Sequence, residues 1–209
     1  MVIGFFRGKM IFMQTDKKIA QIKEYAIDNN VPIMTDEGIK YLINYIKKNK
    51  ISNILEIGAA IGYSAIMMCS ASDSVTVTTI ERDEKRYLEA VKNIKKVGLE
   101  DRITIIYRDA FDVNIKEEFD LIFIDAAKAQ NTNFFEKFKY NLNKSGTIIT
   151  DNMNFHGLIF KDEKEIESRN LRQLVRKIKN YKIFLENNKE YDTEFLDIGD
   201  GIAISKKIV

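Results

Sequence analysis

The chain has few of the residues that a disulfide framework or a soft metal site needs, because its 209 residues include one cysteine, one histidine and one proline. Cys69 alone excludes an internal disulfide and any zinc site built from several cysteines. A protein without disulfides suits a reducing cytosol, so we expect a cytoplasmic location. No apolar run approaches the ~20 residues that cross a bilayer, and we expect no membrane partner.

Neither sign of charge dominates the composition. Lysine and arginine number 33 and aspartate and glutamate 31, and a net charge of +2 does not by itself require a nucleic-acid partner. A hydrophobic content of 45% is too high for a disordered chain. Without internal repeats or low-complexity linkers, residues 1–209 are expected to form one domain, with a helical N-terminal segment over about 1–49. The start carries Arg7 and Lys9 and lacks a small-residue cleavage site, which argues against a signal peptide.

Hydrophobic spacing predicts strands that alternate with helices, after two N-terminal helices at 16–29 and 36–48. Five strands are expected at 51–57, 75–80, 103–107, 119–124 and 147–150. Further helices are expected from about 62 and at 83–97, 131–142 and 166–179. Two final strands, 182–186 and 194–205, should pair as an antiparallel hairpin through a loop around 187–192. The pattern predicts an α/β fold with a doubly wound, mostly parallel, seven-stranded sheet that ends in this hairpin.

Acidic residues stand at or just after the ends of four of the five predicted parallel strands. They are Glu81, Asp109, Asp125 and Asp151. One such acid is often only a helix N-cap. Ligands of doubly wound sheets bind outside the carboxyl ends of the strands, so four acids on one rim indicate a binding site.

The loop after the first strand contains Gly58 and Gly62 within the segment 55–64. Glycines let the backbone approach a ligand, and the helix that follows offers free N–H groups. The spacing is G-x-x-x-G, which differs from the dinucleotide fingerprint G-x-G-x-x-G. Glu81 follows about 20 residues later, where an acid can accept hydrogen bonds from both hydroxyls of a ribose. The combination predicts a nucleoside site.

Two further strand ends carry oxygen ligands, Asp125 in Asp-Ala-Ala-Lys and the pair Asp151-Asn152. If these strands are neighbours, two carboxylates and an amide oxygen converge, which is a set suited to Mg²⁺ or Mn²⁺. Lys128 would lie beside that ion, where an amine loses its proton more readily and becomes a general base. Lys128 could instead be a surface lysine. His156, five residues beyond Asp151, is either a residue of the ligand shell or a loop histidine without a role.

These segments resemble the cation-dependent O-methyltransferases, the family that includes catechol and caffeoyl-CoA methyltransferases. The resemblance lies in segments 55–64, 79–82, 123–128 and 150–152. Additional local matches resemble the bacterial members that methylate 5-hydroxyuridine in tRNA, and these lie at 31–34, 122–130, 148–152, 156–158, 169–181 and 199–206.

The resemblance implies a class I methyltransferase, Rossmann-like fold, S-adenosylmethionine as the cofactor and a homodimer. The cofactor positions are Met34, Glu56, Gly58, Gly62, Tyr63, Ser64, Glu81, Asp109, Ala110 and Asp125. The metal ligands are Asp125, Asp151 and Asn152, and the catalytic residues are Lys128 as base together with Asp125. Ala126 and Ala127 depart from the catechol-type pattern, which often has an aromatic residue near the substrate, and leave room for a larger substrate.

The predicted helix 166–179 presents Arg169, Arg172 and Arg176 on one face. A charged face is often merely solvated, but a one-sided basic stripe could follow an RNA backbone. Together with the resemblance, it predicts a tRNA anticodon loop as partner and methyl transfer to 5-hydroxyuridine at the wobble position, giving 5-methoxyuridine.

Three other functions are alternatives. A small catechol-like metabolite could be methylated by the same chemistry. A nucleoside-dependent oxidoreductase is disfavoured by the glycine spacing and by the lack of a substrate domain. A non-catalytic RNA-binding protein does not explain why Asp125, Lys128, Asp151 and Asn152 coexist.

Overall fold

A seven-stranded sheet runs through the centre of the protein, with the strand order β3-β2-β1-β4-β5-β7-β6. The computed structural model describes the backbone of residues 2–208 and the side chains of residues 15–208. The strands are β1 (Asn53–Ile57), β2 (Thr76–Glu81), β3 (Ile103–Tyr107), β4 (Phe119–Ile124), β5 (Leu142–Thr150), β6 (Tyr191–Leu196) and β7 (Ile202–Lys207). The first five are parallel, and β7 pairs antiparallel with both β5 and β6. The mostly parallel sheet and its antiparallel terminal hairpin are confirmed.

Helices cover both faces of the sheet. They are α1 (Val2–Asp28), α2 (Asp36–Asn49), α3 (Tyr63–Cys69), α4 (Glu84–Val97), α5 (Asn131–Phe138) and α6 (Arg169–Glu186). One apolar core packs the four helices α1, α2, α3 and α4 against one face of the sheet, and it includes Ile54. A second core joins α5 and α6 to the other face through residues such as Leu55. Neighbouring residues of β1 thus enter different cores, as the two-residue period of a strand requires.

Local capping explains where the helices begin and end. The hydroxyl of Thr35 accepts the backbone N–H of Gly38 and begins α2. Asp83 does the same for Arg86 at 2.9 Å and begins α4. Gly98 ends α4 in a left-handed conformation with φ 76°. The predicted boundaries of these helices therefore agree closely with the structure.

The prediction for the terminal hairpin was wrong in its boundaries. Residues 182–186, predicted as a strand, continue α6 to Glu186. Val175, Ile178, Tyr181 and Leu185 are all buried, and their spacing of three and four residues is that of one helix face. The hairpin turn consequently lies at 197–201, inside the predicted strand 194–205, rather than at 187–192.

The sheet register brings three loops to one rim. Ile57 of β1 is paired with Ile124 of β4, and Ile124 is paired with Thr150 of β5. The residues that follow, among them Asp125 and Asp151, therefore lie on neighbouring strands, as the predicted metal site requires. In the described part of the chain, no helix is both long enough and apolar enough to span a membrane.

Candidate active site

A cavity of about 450 Å³ opens at the carboxyl ends of the parallel strands. This volume lies within the ~300–1,000 Å³ of typical small-molecule sites. The predicted residues that line it are Met34, Gly58, Tyr63, Ser64, Glu81, Asp109, Ala110, Asp125, Lys128, Asp151 and Asn152. Glu56 and Gly62 do not line it, and neither do the three arginines of α6. Most of the predicted nucleoside and metal residues thus share one cavity.

Gly58 is the point where the first loop meets the part of the cavity that carries the predicted metal ligands Asp125, Asp151 and Asn152, here called the metal side. Its φ of 102° suits glycine, and a Cβ there would lie 2.3 Å from the carbonyl oxygen of Asp125. No side chain fits at that distance. Gly62, in contrast, precedes α3 with φ 80° and faces Ala90, so it shapes the turn rather than the cavity.

Glu81 is held in place by backbone groups of two loops. Its Oε2 accepts the N–H of Ala60 at 2.8 Å. Its Oε1 accepts the N–H groups of Arg82 at 2.9 Å and Asp83 at 2.8 Å. A carboxylate has about four acceptor sites, so these three bonds leave room for a further donor from a ligand. The side chain is buried, and its orientation is set without any ligand.

Asp109 begins a short 3-10 turn, Ala110–Asp112, beside Glu81. Its Oδ1 accepts the N–H of Phe111 at 2.9 Å, and its Oδ2 lies 3.1 Å from the guanidinium of Arg82. The Phe111 hydrogen bond lowers the pKa of Asp109, partial burial opposes that effect, and Arg82 adds to it. Asp109 is therefore ionised at neutral pH and forms a polar edge of the part of the cavity that carries Glu81, Asp109 and Ala110, here called the nucleoside side.

Glu56 lies behind the cavity wall and is fully buried. Its Oε2 accepts the hydroxyl of Thr79 at 2.5 Å, whereas its Oε1 has no hydrogen-bond partner among the described residues. Burial raises the pKa of Glu56 to about 7, and the hydroxyls of Ser64 and Thr79 oppose that rise. Ser64 also lines the cavity, so Glu56 lies behind a residue that a ligand can contact.

Asp125 and Asp151 lie close enough to repel each other. Burial raises the pKa of Asp125, and Lys128 lowers it. Burial and then the charge of Asp125 raise the pKa of Asp151 to about 7, while Lys128 again opposes. Two buried carboxylates that disfavour each other's charge fit a shared divalent cation, which would relieve both effects.

The third predicted ligand, Asn152, has the left-handed φ of 61° that asparagine tolerates. Its Nδ2 donates to Oδ2 of Asp200 at 3.2 Å, so Oδ1 remains available as a ligand. Among the residues that the structure describes, no three His, Cys, Asp or Glu side chains are grouped to hold a metal. A cation here would thus be held by two carboxylates and one amide, with water completing its shell.

Lys128 begins the 3-10 turn Lys128–Gln130 and lines the cavity. Within the described side chains it makes no hydrogen bond or ion pair of its own, although its charge acts on Asp125 and Asp151. Its amine is therefore available to a substrate.

Sequence reasoning missed several residues of the cavity wall, which are Arg82, Arg86, Arg108, Phe134, Phe155 and Asp200. Asp200 stands between Gly199 and Gly201, and that turn signal was hidden by the predicted strand 194–205. His156, predicted either as a ligand-shell residue or as a residue without a role, lines the cavity with its side chain 76% exposed. Its Nδ1 lies 3.6 Å from Oδ2 of Asp200.

The basic face of α6 lies outside the cavity and is partly engaged. Arg172 donates to the carbonyl oxygens of Ile166 and Glu167. Arg176 pairs with Glu163, with its Nε 2.9 Å and 2.8 Å from the two carboxylate oxygens. RNA phosphates would have to compete with these contacts, so the role of this face in RNA binding stays a prediction.

Known proteins similar to this chain are methyltransferases. The family model for O-methyltransferases matches residues 9–208. A catechol O-methyltransferase of Niastella koreensis is 32% identical over 166 residues, covering 73% of this chain and 72% of that protein. A caffeoyl-CoA O-methyltransferase of Populus kitakamiensis is 27% identical over 197 residues, covering 90% and 83%.

Solved structures confirm the class I methyltransferase fold. One from Staphylococcus aureus, assigned to the caffeoyl-CoA O-methyltransferases, has a TM-score of 0.87 at 38% identity and covers 98% of this chain and 100% of that chain. An O-methyltransferase from Bacillus cereus, solved in complex with SAH, has a TM-score of 0.78 at 24% identity, with coverage of 92% and 91%.

Proposed function

We propose that this chain, which belongs to the O-methyltransferase family, transfers the methyl group of S-adenosylmethionine to the 5-hydroxyl of 5-hydroxyuridine at the wobble position of tRNA. One observation carries the proposal. The oxygen ligands Asp125, Asp151 and Asn152, the amine of Lys128 and the nucleoside-side acid Glu81 line the same cavity. A methyl donor and an ionisable hydroxyl would therefore meet within reach of a base.

The cofactor is proposed to occupy the nucleoside side. Gly58 lets the backbone of the first loop approach it, and Glu81 is oriented to accept from a ribose hydroxyl. Asp109 and the buried Ala110 would border the adenine. The SAH bound in the Bacillus cereus O-methyltransferase is in keeping with this choice of cofactor.

A divalent cation, Mg²⁺ or Mn²⁺, is proposed at Asp125, Asp151 and Asn152, where it would act as a Lewis acid toward the substrate oxygens. Lys128 Nζ, or a water molecule, takes the proton of the 5-hydroxyl. The resulting oxyanion attacks the sulfonium methyl in line, so the new O–C bond forms as the C–S bond breaks and S-adenosylhomocysteine leaves. The main contribution of the chain is to hold both reactants in this geometry.

The tRNA is proposed to present its anticodon loop, because an unpaired base can turn out of the stack into a pocket. Ala126 and Ala127 line the cavity beside Lys128, and their small side chains leave space for a nucleotide. The second candidate is a small catechol-like metabolite. It is favoured by the similarity to the catechol O-methyltransferase of Niastella koreensis and by the internal contacts of Arg172 and Arg176.

Nucleoside mass spectrometry of tRNA from a strain that lacks this gene separates the candidates. The proposal requires that 5-hydroxyuridine accumulates and that 5-methoxyuridine is lost. The wild-type gene should return both nucleosides to their normal levels. An unchanged nucleoside profile would contradict the tRNA substrate and favour a small metabolite.

A further inference from the structure

The turn between β6 and β7 lies against the loop that carries Asn152. This turn, residues 197–201, contains Asp200, whose residue surface is only 6% exposed although it stands on a loop. Burying a carboxylate removes its hydration and is costly unless protein donors replace the water. Both oxygens of Asp200 find such donors in the same short segment, residues 152–156, which directly follows Asp151.

The contacts between the two loops are continuous. Asp200 Oδ1 accepts the backbone N–H of His156, and Oδ2 accepts Nδ2 of Asn152. The backbone N–H of Asn154 donates to the carbonyl of Asp200 at 2.7 Å, and that of Met153 donates to the carbonyl of Gly201 at 2.9 Å. The loop after β5 is therefore bound to the turn by both side-chain and main-chain bonds.

That loop has an unusual backbone. Asn152, Phe155 and His156 have φ values of 61°, 44° and 53°, which residues other than glycine seldom adopt. Such conformations persist where surrounding contacts hold them. Asp200 bonds directly to two of these three residues, so it stabilises the shape of the loop as well as its position.

Glycines on both sides of Asp200 let the turn fit between two elements. Gly201 has φ 82°, and a Cβ there would lie 2.8 Å from the backbone nitrogen of Asn154. Gly199 has φ 61°, and a Cβ there would lie 2.3 Å from Oγ1 of Thr35, the residue that caps α2. The turn is thus confined between α2 and the loop after β5, and Asp200 has little freedom to move away from Asn152.

We propose that Asp200 is a positioning residue of the metal site, which holds Nδ2 of Asn152 and so turns Oδ1 of the same amide toward the ion. The inference rests on the proposed function, because it presumes a cation at Asp125 and Asp151. An ionised carboxylate only accepts hydrogen bonds, so the NH₂ group of Asn152 must face Asp200. In the described part of the chain, Asp200 does not complete a three-acid group with those carboxylates. Its charge also acts on Asp151, and its hydrogen bond to a proposed ligand is the one to Asn152, through which it positions the site.

The test is the dissociation constant of Mn²⁺, measured by electron paramagnetic resonance on the full chain. Asp200→Asn is compared with Asp197→Asn, a matched control in the same turn. Asp197 accepts Nδ2 of Asn154 at 2.7 Å and contacts no proposed ligand. We expect Asp200→Asn to weaken Mn²⁺ binding about 10-fold or more, as losses of outer partners of metal ligands do. Asp197→Asn should stay near the wild-type value. Wild-type affinity in a folded Asp200→Asn variant, or equal weakening in both variants, overturns the proposal.

A double variant tests whether Asp200 acts through Asn152. In the background of Asn152→Ala, the change Asp200→Asn should cause no further loss of Mn²⁺ affinity. Fully additive losses would show an independent effect and overturn the proposal. The variant Asp151→Ala distinguishes failure of the proposed metal-dependent function from failure of the proposed role of Asp200. If Asp151→Ala binds Mn²⁺ like the wild type, the proposed metal-dependent function fails. If it loses Mn²⁺ while Asp200→Asn keeps it, only the role of Asp200 fails.

A measurement on the wild-type chain covers the case in which Asp200→Asn does not fold. In a sample labelled with ¹⁵N at asparagine, the Nδ2 protons of Asn152 should exchange slowly with water, and their resonances should shift when Mg²⁺ is added. Fast exchange of the Nδ2 protons of Asn152, together with resonances that do not shift when Mg²⁺ is added, would overturn the proposal.

Discussion

The two sides of the cavity are built differently. On the nucleoside side, Glu81 accepts hydrogen bonds from the backbone of Ala60, Arg82 and Asp83, so its orientation is fixed before any ligand arrives. On the metal side, burial raises the pKa values of Asp125 and Asp151, and the charge of Asp125 raises that of Asp151 further. The nucleoside side is therefore oriented in advance, whereas the carboxylates of the metal side would be stabilised by the cation that we propose there.

The largest expected effect is on the metal side, from Asp151→Ala. This change removes a ligand and a compensating charge together, and should reduce methyl transfer about 10³-fold, equivalent to ~4 kcal/mol. Circular dichroism and calorimetric binding of S-adenosylmethionine should stay close to wild type, because the nucleoside side is bonded independently. Loss of cofactor binding in a folded variant would show that the two sides are not separate.

Gly58 joins the two sides, and Gly58→Ala tests that junction. A Cβ would lie 2.3 Å from the carbonyl oxygen of Asp125 at φ 102°, so strain and displacement should together cost roughly 2–4 kcal/mol of unfolding free energy. Gly98→Ala is the matched control, because its φ is 76° and no described atom lies within 4 Å of the new Cβ. Urea unfolding should show a loss of only ~1 kcal/mol there. Equal losses in both variants would contradict the close contact at Gly58.

Lys128→Ala should separate proton removal from metal binding. Methyl transfer should slow about 10²-fold, the lower end for general base catalysis, with Mn²⁺ affinity retained. The deficit should shrink as the pH rises, because the substrate hydroxyl then ionises unaided. A pH-rate profile parallel to that of wild type would remove Lys128 as the base.

Glu81→Ala should weaken binding of the cofactor without changing binding of the metal ion. Loss of charge-assisted contacts to a ribose should weaken S-adenosylmethionine binding by on the order of 1.5–3 kcal/mol, measured by calorimetry. Glu81→Gln, which keeps one acceptor oxygen, should lose less, and Mn²⁺ binding should be unchanged in both variants. Wild-type cofactor affinity in a folded Glu81→Ala variant would place the ribose elsewhere.

The smallest expected effect is a change in the pH dependence of stability from Glu56, which lies behind the cavity wall. Burial raises its pKa from 4.5 to about 7 in the folded chain. Between these two pH values, Glu56 is protonated in the folded state and increasingly ionised in the unfolded state. Its contribution to the free energy of unfolding therefore falls as the pH rises from about 4.5 to about 7. Glu56→Gln should remove that part of the decline, and therefore gain stability relative to wild type between pH 4.5 and pH 8. Urea unfolding that gives a pH-independent difference would contradict the raised pKa.

The sequence predicted that Glu81, Asp125 and Asp151 lie at one rim of the sheet, because these residues stand at strand ends. Strand periodicity and the loops that follow are local features, so this position could be predicted without coordinates. The pairing of β4 with β5 then placed the two aspartates together.

What the sequence did not predict depends on distant or irregular contacts. Asp200 contacts Asn152 across 48 residues, through a hairpin whose turn lies at 197–201 and not in the loop that the sequence pattern predicts. Residues 182–186 read as a strand because apolar residues are dense there, and only the packing of Tyr181 and Leu185 against the sheet shows that the helix continues. The pairing of Arg176 with Glu163 depends on a loop that has no periodic signal.

The most direct test of the central claim is a single assay with purified enzyme and tRNA that carries 5-hydroxyuridine, read by nucleoside mass spectrometry. The enzyme is first stripped with EDTA, and metal removal is confirmed by elemental analysis. With S-adenosylmethionine alone, 5-methoxyuridine should not form, and added Mg²⁺ or Mn²⁺ should restore its formation. Full conversion by the metal-free enzyme would contradict the metal-dependent mechanism, and no conversion with any added cation would contradict the proposed substrate.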